Sequence, residues 1–196
     1  MPYNASSALS FCQRQSGRYR DGECWTLMED AVVGAGGQSS TKLTPRFSPA
    51  ASFVWGDVVA IGNLQPGDVL QFSGYKWEQS ITIETTFHPK HADNPDAKDK
   101  VAGPMEKRGE PQHSAMVVKV VSAGVVDVIE QNIPPVIGPV QTVRLILIAG
   151  PATVTTETTE FDSAVDDNSP KIKFTRTIKT TTTETVSGAP RCYRPK

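Results

Sequence analysis

The stretch HSAMVVKVVSAGVVDVIEQN, residues 113–132, decides the fold. β-Branched residues fill both halves and Ser122-Ala123-Gly124 interrupts them, so the stretch reads as two antiparallel strands joined by a tight turn. A two-residue turn with Val121 opposite Gly124 makes opposing residue numbers sum to 245. His113 then faces Asn132 and Ala115 faces Glu130, which gathers three polar side chains on one face and at one end of the hairpin. A three-residue turn reverses that parity and sends His113 to the other face, unless a bulge at Gly124 restores it.

Upstream, GECWTLMEDAVVGAGG (22–37) reads as a helix. Cys24, Leu27, Met28, Ala31 and Ala35 recur at helical spacing, Asp21 is available as a cap, and Gly34, Gly36 and Gly37 end the run. Cys24 falls in the first turn, beside N–H groups that have no partner within the helix and that favour a thiolate. A shorter helix over 5–15 precedes it, with Asn4 as cap and Leu9 and Cys12 facing inward.

Residues 39–49 read as loop, and 53–62, carrying Trp55, as a short helix or an irregular segment. QPGDVLQF (65–72) is a turn feeding a strand, and 77–87 alternates Ile81, Ile83 and Phe87 with polar residues as a half-solvated strand does. Residues 88–112 are polar and punctuated by Pro and Gly, which predicts a long surface excursion. TVRLILI (142–148) predicts a strand apolar enough to be central. After Gly150 threonine alternates with charge and large apolar residues become few. This predicts a division into a domain over 1–150 and a Thr-rich extension over 151–196. The extension reads as an exposed ribbon around DSAVDDNSP, with a disordered tail as the competing reading.

The 196 residues carry 20 basic and 21 acidic side chains, a net charge of −1, and no such balance attracts nucleic acid or an anionic membrane. No run approaches the ~20 apolar residues of a membrane span, and the first residues lack the basic and apolar segments of a conventional export signal. The expectation is a soluble chain, cytoplasmic or delivered by an unconventional route. Without an export signal, the glycosylation triplet Asn4-Ala5-Ser6 carries little weight. Cys12, Cys24 and Cys192 are too few and too scattered for a disulfide scaffold or a zinc site, so free thiols are expected, a Cys12–Cys192 pair being the alternative.

A thiol at a helix start, an imidazole at a strand start and a carboxylate or amide one strand over are the parts of a cysteine hydrolase. The imidazole takes the thiol proton and later gives it to the leaving group, and the third residue fixes the ring's tautomer. The backbone N–H of Cys24 supplies part of an oxyanion hole.

The motifs GECWTL, QPGDVLQF, HSAMV and EQN, in that order over roughly residues 5–150, resemble the papain-like CHAP and NlpC-type amidohydrolase and peptidase superfamily. CHAP domains use a Cys, His, Glu, Asn quartet, and the resemblance assigns it to Cys24, His113, Glu130 and Asn132. The pattern GECW, VWG, PGD-LQF, H-A-V, EQN also resembles a papain-fold domain of fungal actin-patch adaptor proteins. The implied fold is α+β and papain-like, with N-terminal helices on an antiparallel sheet. The implied reaction is hydrolysis of an amide in a peptide or peptidoglycan-like substrate through a thioester, with no cofactor. The other reading is a catalytically silent module that binds a protein partner.

Trp25 and Trp55 read as core or groove-wall aromatics, with substrate contact as their functional use. Gln15 reads as a solvated helix residue, an oxyanion-hole amide being the alternative. His88 and His91 near Asp93, Asp96 and Asp99 lack a third well-placed ligand, so no metal site is expected.

Overall fold

The computed structural model describes residues 2–48, 51–90, 95–133, 138–164 and 170–196. Helix α1 spans Ala5–Gln13, with the Asn4 side chain accepting from the Ser7 N–H at 2.9 Å, and α2 spans Cys24–Gly34. A short helix, α3, covers Ser40–Leu43. The strands are β1 (Asp57–Val59), β2 (Val69–Phe72), β3 (Tyr75–His88), β4 (Ala97–Arg108), β5 (His113–Ser122), β6 (Val125–Glu130), β7 (Gln141–Ile146), β8 (Thr153–Ser163), β9 (Ile172–Ser187) and β10 (Arg191–Arg194). The class is α+β. No helix among the described residues is long and apolar enough to cross a membrane.

Two compact units divide the chain: residues 1–77, 106–149 and 186–196, and residues 78–105 and 150–185. This corrects the division at residue 150. Two segments from opposite halves of the sequence build the second unit, and the last eleven residues belong to the first.

The first unit holds a sheet in the order β1-β10-β2-β5-β6-β7, antiparallel at every pairing. Apolar residues on both of its faces are buried, so its central strands read as near-continuous apolar runs rather than strict alternations. Val69, Met116, Ile129 and Tyr193 pack with Leu27, Met28 and Ala31 of α2 and with Cys12 of α1. Their neighbours Leu70, Ala115, Val117, Val128 and Cys192 join Phe72, Tyr75 and Leu145 in a second cluster. Cys12 and Cys192 therefore belong to different clusters, and all three cysteines are free. Strand β7 lies at the sheet edge rather than in its centre. Leu145 is buried, but Arg144 faces solvent and pairs with Asp127 at 2.8 Å.

The second sheet has the order β4-β3-β9-β8. Strand β4 lies where the sequence predicts a loop. It is an edge strand, where Pro104 breaks no interior ladder, and its exposed polar residues give no apolar alternation to read. The Thr-rich hairpin forms between β8 and β9 in unbroken register, with Phe161 opposite Phe174, their rings stacked at 5.7 Å and Phe87 edge-on to Phe161 at 6.3 Å. Those rings, with Phe174 only 1% exposed, supply the burial that the threonines lack.

Candidate active site

The loop ahead of α2 is folded so that its first helical residue is Cys24. Asp21 accepts from the Glu23 N–H at 3.0 Å and from the Thr26 hydroxyl at 2.8 Å, so it braces the helix start although the N-cap itself is Glu23. Gln131, wholly buried, donates to the Glu23 carbonyl at 2.7 Å and accepts from the Tyr19 N–H at 3.1 Å. The end of β6 thereby fixes the residue before the thiol.

The β5–β6 hairpin turns at Ala123-Gly124, one position later than Val121 opposite Gly124 implies, and pairs Ser122 with Val125. Two bulges, between Val117 and Lys119 and between Val120 and Ser122, then shift the register by one residue each. By Met116 opposite Ile129 the opposing numbers sum to 245, the register expected for the polar end. Two single-residue shifts preserve parity, so His113 and Glu130 share a face.

That face carries Ala115, Val117 and Val128, whereas the stripe of α2 packs with Met116 and Ile129. Cys24 nevertheless meets His113. Each is the first residue of its element, so the contact is made at the end of the sheet rather than through one of its faces.

His113 is 4% exposed and its Nε2 lies 2.9 Å from Oε2 of the wholly buried Glu130. Nδ1 is left as the ring nitrogen for the thiol. Burial opposes charging of the ring, but the hydrogen bonds that the protonated ring donates to Cys24 and to Glu130 outweigh it and raise the imidazole pKa to about 9. Burial would likewise push the Glu130 carboxyl up, yet its hydrogen bonds to His113 and Arg108 hold it below the usual range.

Arg108 is the member of the cluster that sequence reading misses. It ends β4, is 5% exposed, and donates from Nε to both Glu130 oxygens at 3.1 Å and from Nη2 to Oε1 at 2.8 Å. Only its burial distinguishes it from the surface charges around it in the sequence, and burial is not legible there.

Asn132 is placed differently from the expected quartet. Its φ of 67° takes it out of the strand alternation, and its amide donates to Glu23 Oε2 at 3.0 Å. The three residues of EQN thus serve different groups: Glu130 holds the His113 ring and Arg108, Gln131 holds the Glu23 and Tyr19 backbones, and Asn132 holds the Glu23 side chain.

Trp55 is 0% exposed and donates to Gln71 at 3.1 Å, so it is a core residue with no surface to offer a substrate. Trp25 is half-buried, donates to Ser40 at 2.9 Å, and lies against Phe47 and Phe53, with ring centroids 5.7 and 6.0 Å away. Phe47 is 41% exposed, so this aromatic group borders solvent beside the helix that carries Cys24. The Gln15 amide donates to Phe11 of its own helix region at 2.8 Å. Of the candidate metal-attracting residues, His91 and Asp93 lie outside the described residues, and among the described residues no group of three His, Cys, Asp or Glu side chains comes together. No protein-family model and no curated protein matches the chain.

Proposed function

We propose that this chain is a cysteine-dependent amide hydrolase of papain-like fold, acting on a peptide or peptidoglycan-like substrate. The observation that carries the reading is the buried series Cys24, His113, Glu130, in which one ring nitrogen is held by a carboxylate and the other is left for a thiol at a helix start. A ring whose pKa is raised to about 9 is an imidazolium at neutral pH, the form that can protonate a leaving amine.

The Cys24 sulfur attacks the carbonyl carbon, and the developing oxyanion is met by the Cys24 backbone N–H at the helix start. His113 gives its proton to the departing nitrogen, the C–N bond breaks, and a thioester remains. His113, now neutral, takes a proton from water as the water oxygen attacks the thioester. The C–S bond then breaks, its electron pair returns to the Cys24 sulfur, the acid leaves, and the proton on His113 restores the starting pair. Glu130 holds the ring's tautomer throughout and is not itself protonated.

The test is the dependence of Cys24 labelling on His113. Cys12 and Cys192 are buried thiols whose pKa values burial pushes up to about 12 and about 11, so their slow labelling alone proves little. Mass-spectrometric labelling of Cys24 by iodoacetamide at about pH 6 is expected to slow at least about tenfold in His113→Ala, which removes the base that activates the thiol. An unchanged rate overturns the hydrolase reading and leaves a silent protein-binding module.

A further inference from the structure

We infer that Arg108 is a positioning residue of this site: its guanidinium grips Glu130 from the side away from His113 and turns the carboxylate so that one oxygen serves the ring. The consequence for Cys24 rests on the hydrolase reading; the effect on the ring does not.

The geometry is a fork. Nε and Nη2 take Oε1 at 3.1 and 2.8 Å, Nε also reaches Oε2 at 3.1 Å, and that same Oε2 stands 2.9 Å from His113 Nε2. The third nitrogen, Nη1, is used elsewhere, on the Lys107 carbonyl at 2.7 Å and Glu106 Oε2 at 2.9 Å, so the guanidinium plane is fixed from both ends. Planar two-point contact defines the rotation of a carboxylate in a way that a single ammonium cannot.

Other charges are close enough to matter. Glu106 and Arg108 come from β4, Lys107 between them pairs with Glu110 at 3.5 Å, Glu130 comes from β6, His113 from β5, Cys24 from α2, and the Tyr75 hydroxyl on β3 feels the charges of Arg108, Glu106 and Glu130. Two roles for Arg108 therefore predict opposite outcomes. As a bare positive charge it would make the ring harder to protonate, so its removal would raise the His113 titration midpoint. As a positioning group it supplies the ring with an oriented, ionised carboxylate, so its removal lowers the midpoint. A pin that only joins two strands would leave the midpoint unchanged.

The experiment follows the His113 imidazole by NMR against pH in the full chain, assigned among the three histidines with His113→Gln. In Arg108→Met the midpoint is expected to fall from about 9 to below about 8, and in Arg108→Lys by less, because one ammonium retains the charge without the fork. The Cys24 alkylation rate at about pH 6 is expected to fall about tenfold in Arg108→Met and to recover in part in Arg108→Lys. An unchanged or raised midpoint in the folded variant overturns the inference.

Should Arg108→Met not fold, the unaltered protein decides: the Arg108 Nε–H resonance is expected to shift with the same midpoint as the ring, and a resonance that stays still through that titration overturns the inference. Failure of the hydrolase reading is separable. There His113→Ala leaves Cys24 labelling unchanged, while Arg108→Met still moves the ring midpoint.

Discussion

Glu130 joins two interactions that fail differently when it is changed. Removing its side chain leaves Arg108 charged and buried beside a gap, and breaking such a pair costs about 3–5 kcal/mol. Glu130→Ala is therefore expected to lower the urea midpoint of the whole unit. Glu130→Gln keeps the volume and is expected to retain more stability while slowing Cys24 alkylation at about pH 6 by about tenfold. Equal loss of stability in the two variants would count against the ion-pair account. Asn132→Ala removes one exposed contact to Glu23 and is expected to cost less than about 1 kcal/mol in the same urea titration. At this scale Cys24, His113 and Glu130 were legible because their types, order and register are readable. Arg108 sits in KDKVAGPMEKRGEPQ among exposed charges and was not, and Asn132 was read in the extended register that its positive φ abandons.

The elements carry the register through the hairpin turn and the last strand. Gly124 has φ 75°, and a Cβ there would lie 2.5 Å from Cβ of Ile148. Gly124→Ala is expected to destabilise by about 1–3 kcal/mol, read by thermal unfolding, because both the backbone and the neighbour resist it. Strand β10 pairs with both β1 and β2, and Arg194 donates twice to the buried Asp68 at 2.9 Å. Tyr193→Ala, which empties a 2%-exposed site against α2, is expected to cost about 3 kcal/mol or more, and a chain ended at Gly150 is expected to lose cooperative unfolding. A cooperative transition in that shortened chain would refute the central role of β10. Helices α1 and α2 and the strands from β2 to β6, apart from β4, showed in their periodicity, whereas α3, a single turn, falls where the sequence reads as loop. Four residues flanked by Pro190 and Pro195 after a threonine tract offer no period to read, so β10 was taken for tail; β4 was missed because an exposed polar edge strand resembles loop.

For the whole molecule, the buried His113–Glu130 pair predicts how stability varies with pH. The His113 pKa is raised from 6.5 to about 9, so its contribution is fully present below about 6.5 and is lost as pH climbs through about 9. Glu130 is lowered from 4.5, so its contribution is present above about 4.5 and is lost as pH falls through its folded-state value. Both are complete only between about 4.5 and 6.5, which puts the stability maximum on the acid side of neutrality despite a net charge of only −1. Cys12 and Cys192, raised from 9.0 to about 12 and about 11, add losses that begin only near pH 9. The interval from about 6.5 to 9 therefore reports His113 with little contribution from them. Urea titrations across it are expected to show falling stability in the unaltered protein and a flatter profile in His113→Phe, which fills the ring's space without titrating. A profile equally steep in the variant would mean that another group sets the alkaline limit and that the imidazolium is not what the fold stabilises.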